Sequence, residues 1–474
     1  MYKDQISRRQ FLKVSTCSLG AISLNSGLQA AEISRSSPGK PNIMFIFTDD
    51  QRWDTLGCAG NPIIQTPFID NLAHNGVRFE YAFITSPACA PSRACIFTGL
   101  YERTHCFTFG TPPLARVYSD MSYPQLLRQA GYRTGYVGKH HVSLEKGAQA
   151  QMFDSFEPLG RTPYIRKVNG KDRHLCEIMG DTAVDFLESC THDQPFCLSL
   201  SFHSPHAEDD DPRQFIWPAS CDDLYKDDTI PYPTTTHLFN KMTGDLQTCF
   251  NRMRWWQRFC TPEKYQEMVK GYYRMISGID MVIGRLMDEL KKRGMDQNTI
   301  IFLMGDNGYF LGERGFGGKF MMYEQSLRVP LIIYDPRRPS SSRGIVLKEM
   351  AMGIDIAPTI LEMAGVDIPE DMHGRSLVPL LNGERIEWRT EFFCEYTSTE
   401  FPSIIQSEGY RTEKWKYLRY INRANSEELY DLANDPLEEH NLALEQQYRE
   451  QLLELRKRCN LTICKLVNDR KDQY

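Results

Sequence analysis

Several features are scarce in this chain. Its 474 residues contain no Cys-x-x-Cys pair and no Cys/His cluster, so the usual spacings of a zinc site are missing. Basic charge is not in excess: 55 Lys and Arg stand against 61 Asp and Glu, a formal charge of −6. That balance excludes the net basic face of a non-specific nucleic-acid binder. A hydrophobic fraction of 41% beside 24% charged residues excludes a disordered chain, a collagen-like repeat and a multi-span membrane protein. The 14 cysteines are scattered, without the dense spacing of a small disulfide scaffold. Most are expected to behave as small buried hydrophobes. Cys459 and Cys464 bracket a short segment, and whether they pair is left open.

What is present begins with a leader. Ser7-Arg8-Arg9-Gln10-Phe11-Leu12-Lys13 precedes a mildly apolar stretch from Val14 to Leu24, and small residues follow at Ala30-Ala31. A charged segment, a short apolar segment and a small-residue cleavage site describe an export signal over residues 1–31, too short for a membrane span. The paired arginines resemble a bacterial twin-arginine signal, implying the twin-arginine export machinery as a partner and a periplasmic or secreted protein. That route carries folded chains, so any modification precedes export. The residues before Cys17 match a lipid-anchor site poorly, and the mature chain is not expected to span a membrane.

Four apolar runs of strand length each pass abruptly into charged residues. Asn42–Phe47 leads to Thr48-Asp49-Asp50, and Tyr132–Val137 to Gly138-Lys139-His140-His141. Phe196–Phe202 leads to His203-Ser204-Pro205-His206, and Thr299–Met304 to Gly305-Asp306-Asn307. Continuous apolar runs read as strands buried on both faces, hence a parallel sheet covered by helices. Helical patterns lie at Leu126–Ala130 and from Ile279 to Arg293. In such sheets ligands bind beyond the carboxyl ends of the strands, so four ends bearing Asp, Asn, Lys and His predict one convergent site. A long stretch from Glu208 to Pro262, with Trp217, Trp255 and Trp256, reads as pocket-shaping or irregular cover. After Gly374, strand-like segments at Glu391–Tyr396, Gly409–Tyr420 and Glu428–Leu432 precede a charged helix from Leu444 to Lys457. They predict a smaller antiparallel subdomain. The expected organisation is residues 1–31 as export signal, 38–375 as catalytic domain and 376–474 as C-terminal α/β subdomain.

Cys89-Ala90-Pro91-Ser92-Arg93-Ala94-Cys95-Ile96-Phe97-Thr98-Gly99 resembles the signature of the type I, formylglycine-dependent sulfatases, with every defined position matched. The likeness spans most of the mature chain. It includes Thr66-Pro67-Phe68-Ile69-Asp70-Asn71-Leu72-Ala73, Tyr323–Leu331, Gly374-Arg375-Ser376-Leu377 and Leu429-Tyr430-Asp431-Leu432. It implies an alkaline-phosphatase-like α/β fold: a large, mixed, mostly parallel sheet sandwiched by helices. A separate maturation enzyme is implied too, converting Cys89 to Cα-formylglycine, an aldehyde.

A sulfate ester is an anion, and a hard dication held by oxygen ligands neutralises it. The resemblance implies one Ca²⁺ on Asp49, Asp50, Asp306 and Asn307, with residue 89 as a further ligand. The hydrated aldehyde offers two hydroxyls: one attacks sulfur and expels the alcohol, the other collapses to release sulfate. Arg93 is expected to brace the diol or the metal ligands through charge-assisted hydrogen bonds. Lys139 and Lys319 contact sulfate oxygens, and His141 assists the diol. His206 or Lys319 protonates the leaving alcohol. His140, His203 and Arg314 are expected either to line the pocket or to pack.

Two departures change the pocket. Glu313-Arg314-Gly315-Phe316-Gly317-Gly318 replaces a common Glu-His-Gly element, and Ala207-Glu208-Asp209 lacks the proline usual after Pro205-His206. The expected activity is sulfuric-ester hydrolysis of a sulfated small molecule or saccharide, with a carbohydrate preferred because an exported hydrolase meets polysaccharides. The alternatives are an aryl sulfate, a phosphonate or phosphate ester, or a catalytically silent binder of sulfated ligands.

Overall fold

The computed structural model describes residues 39–471, except 242, 243, 422, 424 and 425; the export signal expected at 1–31 lies outside the described residues. Eight strands form the main sheet: β1 (Asn42–Thr48), β2 (Val77–Phe79), β3 (Arg133–Gly138), β4 (Ser155–Pro158), β5 (Phe196–Ser201), β6 (Thr299–Gly305), β7 (Leu331–Tyr334) and β8 (Ile345–Leu347). Their spatial order is β8-β2-β7-β6-β1-β5-β3-β4. Only β7 runs against its neighbours. The four apolar runs are thus adjacent parallel strands, β6, β1, β5 and β3.

Helices cover both faces: α1 (Pro67–His74), α2 (Cys89–Thr98), α3 (Tyr123–Gln129), α4 (Leu175–Glu188), α5 (Phe250–Arg258), α6 (Pro262–Lys292), α7 (Ile356–Met363) and α8 (Arg449–Asn468). Side chains alternate across a strand. Ile43, Phe45 and Phe47 of β1 therefore pack with Phe97 of α2, Leu127 of α3 and Ile360 of α7. Met44 and Ile46 face Leu72 of α1, Met179 of α4 and Ile276 of α6. Each such side chain, fully buried, contributes about 1.5–3 kcal/mol. A two-sided core explains why these strands show no polar alternation.

Three boundaries differ from the sequence reading. The stripe expected from Ile279 begins at Pro262 instead. Tyr265, Met268, Val269, Tyr272 and Ile276 extend it backwards, and Thr261 caps the end by accepting the Lys264 N–H at 3.3 Å. The segment Gly409–Tyr420 is two strands rather than one, because the alternation continues on both sides of a tight turn. With β9 (Glu391–Tyr396), these strands, β10 (Ser407–Thr412) and β11 (Trp415–Tyr420), and β12 (Glu427–Asp431) form an antiparallel sheet in chain order. The last helix starts at Arg449, not Leu444, which is 94% exposed.

The small sheet joins the α2 side of the core. Phe83 and Phe392 rings lie 4.9 Å apart, and Arg103 reaches Glu395 of β9 and Glu408 of β10. From Lys40 onward the described residues make one compact unit. Cys459, buried, and Cys464, exposed, are both free thiols. Among the described residues no helix is long and apolar enough to cross a membrane.

Candidate active site

Register brings the four strand ends level. Thr48 pairs with Gly305, Phe47 with Ser201, and Gly138 with Ser201. The polar residues that follow therefore emerge side by side. Asp50 leaves β1 with φ 67°, a left-handed conformation that Asp tolerates better than most residues. That turn directs its N–H to Asp306 Oδ1 at 3.3 Å. His141 turns likewise at φ 57°.

The two acids of β1 each hold an ammonium. Lys139 Nζ donates to Asp49 Oδ2; Lys319 Nζ donates to Asp50 Oδ1 at 2.5 Å and lies 3.5 Å from Asp49 Oδ1. Burial opposes charging Asp49, but Lys139, Lys319, His206 and Arg93 outweigh it and hold this carboxyl well below its ordinary range. Asp50 differs. Burial, with Asp49 and Asp306 repelling it, prevails over Lys319 and raises it to about 7. For Lys319 the burial penalty is overcome by Asp50, Cys89 and Asp49, which push it well above an ordinary lysine.

Cys89 is the first residue of α2, so the helix begins at the cysteine itself. Its position at the N-terminus places it among unpaired backbone N–H groups, a setting that favours anionic oxygen. Behind it Ser92 Oγ donates to the Asp306 carbonyl at 2.5 Å. Arg93 is fully buried; its Nε donates to Asp306 Oδ2 at 2.8 Å, and its Nη1 donates to the Lys139 carbonyl and Ser201 Oγ. One guanidinium thus ties α2 to three strand ends.

A cavity of about 680 Å³ opens over these groups. Cys89, Asp50, Lys139, His141, His206 and Lys319 all line it. His206 stands 3.6 Å from Asp50 Oδ2 and receives Arg161 Nη1 on Nε2 at 3.0 Å. Burial above all holds its imidazole well below the usual histidine range. His141 is pushed down to about 3 by burial, then by Lys139 and Arg93. His203 and His140 also reach the cavity wall, but each is held for structural reasons. His203 Nε2 lies 2.6 Å from the Leu159 carbonyl, and the His140 ring packs against Phe97, Tyr136, Phe153 and Phe156. Arg314 lies elsewhere, over the Tyr323 ring at 4.0 Å and bonded to the Glu438 carbonyl.

Sequence reasoning missed the far wall. Arg161 follows β4, while Asp209, Arg254 and Arg258 come from the long stretch after β5, and all four line the cavity. Phe109, Phe250, Phe401 and Ile404 line the same cavity, with the Arg254 guanidinium 4.7 Å over the Phe250 ring. The only signal in the sequence was the length of the 208–262 stretch.

The donor chemistry fits a hard dication. Asp49, Asp50 and His206 each bring a ligand atom within 4.8 Å of the others. Asn307 Nδ2 donates to Asp50 Oδ1 at 2.6 Å, leaving its buried Oδ1 without a hydrogen bond. A buried amide oxygen without a donor, beside two carboxylates, suits an oxygen-seeking cation. Asp306 commits Oδ2 to Arg93.

An anion-binding centre at the carboxyl ends of a mostly parallel sheet, with a cysteine opening a helix beside it, is the architecture of a hydrolase for charged esters. The chain belongs to the sulfatase family, whose pattern it matches over residues 41–366, and it is an enzyme that hydrolyses sulfate esters. Residues 312–464 match the C-terminal family of N-sulphoglucosamine sulphohydrolase. It is 30% identical to an N-acetylglucosamine-6-O-sulfatase of Bacteroides thetaiotaomicron, over 92% of this chain and 88% of that one. It is 28% identical to an arylsulfatase of Clostridium perfringens, over 88% and 93%. A solved structure in complex with its substrate D-glucosamine-2-N,6-O-disulfate superposes with a TM-score of 0.76 at 27% identity, covering 92% of this chain and 99% of that chain. A phosphonate monoester hydrolase of Agrobacterium radiobacter, at 22% identity and a TM-score of 0.74 over 89% of this chain and 95% of that chain, shares the fold.

Proposed function

We propose that this sulfatase works with Ca²⁺ and a formylglycine made from Cys89, and that it removes sulfate from a saccharide. One observation carries the reading: the cysteine of the Cys-x-Pro-Ser-Arg segment opens a buried helix in the wall of the cavity that Asp50, Lys139, His206 and Lys319 also line. A hydrated aldehyde at position 89 supplies two hydroxyls, one to attack sulfur and one to discharge sulfate afterwards. Asp49, Asp50, Asp306 and Asn307, with residue 89, would hold Ca²⁺, whose charge neutralises sulfate oxygens.

The chain's own residues do the rest. Lys139 and Lys319 present ammonium donors to the sulfate, and His141 attends the hydroxyls at position 89. Arg93 keeps Asp306 and the Lys139 backbone in place. His206 or Lys319 gives the proton to the departing alcohol oxygen. Apolar Phe109, Phe250, Phe401 and Ile404 share the cavity lining with charged and polar groups, a mixture that suits the two-faced surface of a sugar ring. The N-acetylglucosamine sulfatase relative and the glucosamine-disulfate complex support a sulfated saccharide. Residues 1–31 direct twin-arginine export to the periplasm or beyond, 38–375 carry the reaction and 376–474 form the C-terminal subdomain.

The test is the mass of the tryptic peptide Phe79–Arg93 from protein made together with a formylglycine-generating enzyme. An aldehyde in place of the thiol, inert to alkylation, is expected. An intact, alkylatable cysteine in protein that still releases sulfate overturns the mechanism.

A further inference from the structure

We infer that Arg161, Arg254 and Arg258 form a second anion subsite in the cavity, so that the substrate carries another negative group, a sulfate or a carboxylate, near the sulfate that is cleaved; this rests on the saccharide reading above. The three guanidinium groups meet on one carboxylate. Asp209 Oδ1 lies 2.7 Å from Arg258 Nη2 and 3.0 Å from Arg254 Nη2, and its Oδ2 lies 3.2 Å from Arg161 Nη2. Three cations against one anion leave two positive charges uncompensated. Their side chains are 27%, 13% and 3% exposed for Arg161, Arg254 and Arg258, so water screens the excess incompletely.

Of the acids in the neighbouring reaction centre only Asp49 acts on the trio, through Arg161, and Asp49, Asp50 and Asp306 are each in contact with a cation of their own, Lys139, Lys319 and Arg93. Repulsion within the trio is visible: burial first, then Arg258, depress Arg254 despite Asp209. Asp209 is itself held below its ordinary range, burial being outweighed by Arg254, Arg258 and Arg161. The subsite adjoins the chemistry, since Arg161 bonds His206, which faces Asp50. Arginine forks bind sulfate and carboxylate in the same way, through paired N–H donors.

The experiment measures affinity in the full-length Cys89→Ala chain with Ca²⁺ at fixed ionic strength. Its ligands are N-acetylglucosamine 6-sulfate, D-glucosamine-2-N,6-O-disulfate and N-acetylglucosamine 6-sulfate linked to glucuronate. At least one doubly charged ligand should bind about tenfold tighter than the monosulfate, and which one does so tells sulfate from carboxylate. Arg254→Gln should cut that ratio to below about threefold, and Arg254→Lys should keep part of it. A purely structural defect weakens all three ligands alike and leaves the ratio intact. Equal binding of the three, or a ratio that survives both Arg254→Gln and Arg161→Gln, overturns the subsite. Failure of every sugar to bind overturns it as well, while aryl sulfate hydrolysis by the matured enzyme, run in parallel, shows separately whether the catalytic reading stands.

Discussion

At the strand ends Arg93, Lys139 and Lys319 face Asp306, Asp49 and Asp50, cation for anion, whereas across the cavity Arg161, Arg254 and Arg258 share the single carboxylate of Asp209. The first arrangement sets one acid against each cation. Its lysines rest on acids that a dication would take over, so its charge is set by what it holds. The second is built with an excess. One region is equipped to activate a sulfate ester, the other to choose which ester enters. Their scaffolds differ accordingly: adjacent parallel strands and the start of α2 on one side, α5 and irregular chain on the other.

Substitutions separate the two regions, and the largest effect belongs to the reaction centre. Cys89→Ala should lower sulfate release by roughly 10⁴-fold or more, with the circular dichroism spectrum unchanged; turnover near that of the parent would sink the nucleophile assignment. Lys139→Ala removes a donor proposed to meet the sulfate and leaves Asp49 with Lys319 alone among the lysines, so a loss of about 10²–10³ in kcat is expected. A change confined to KM would instead mark it as a binding group. Asp306→Ala strips Arg93 of its buried partner and removes one of the proposed metal ligands. Stability should fall by about 3–5 kcal/mol and bound calcium should drop with it; elemental analysis showing an undiminished calcium content argues against the ligand set. Arg314→Ala touches neither region. It removes a stack on Tyr323 and a bond to Glu438, so Tm should fall by the equivalent of about 1–3 kcal/mol, while turnover per folded molecule stays within about twofold. A larger loss of turnover would place Arg314 in the site after all.

Much of the reaction centre was legible because its residues follow apolar runs that only a doubly covered strand explains. Once β6, β1, β5 and β3 are neighbours, Asp306, Asp49, His206 and Lys139 must emerge together. Lys319 was reachable only through the family resemblance, since it leaves a two-residue ladder, Phe310–Leu311 with Gly317–Gly318, too short for any periodic signal. His140 was ambiguous for a different reason. Two adjacent histidines after one strand look alike in sequence, and both reach the cavity, yet only the His140 ring is packed among Phe97, Tyr136, Phe153 and Phe156. The start of α6 was misjudged because its upstream apolar face is built from tyrosines, whose hydroxyls disguise the stripe. Tyr272, for instance, buries its ring while its hydroxyl donates to the Asp50 carbonyl at 2.6 Å.

The sequence by itself determined the sheet, its two helical layers, the family and the acids, lysines and histidines of the reaction centre, because strand burial and a long defined motif are local properties of the chain. Only the tertiary structure decided that Arg161, from beyond β4, meets Arg254 and Arg258 of α5 around Asp209, and that Arg314 does not join them. Those contacts link residues 45 to nearly 100 positions apart through irregular backbone, where no periodicity records which side chain will face which, and where packing against the finished sheet sets the geometry.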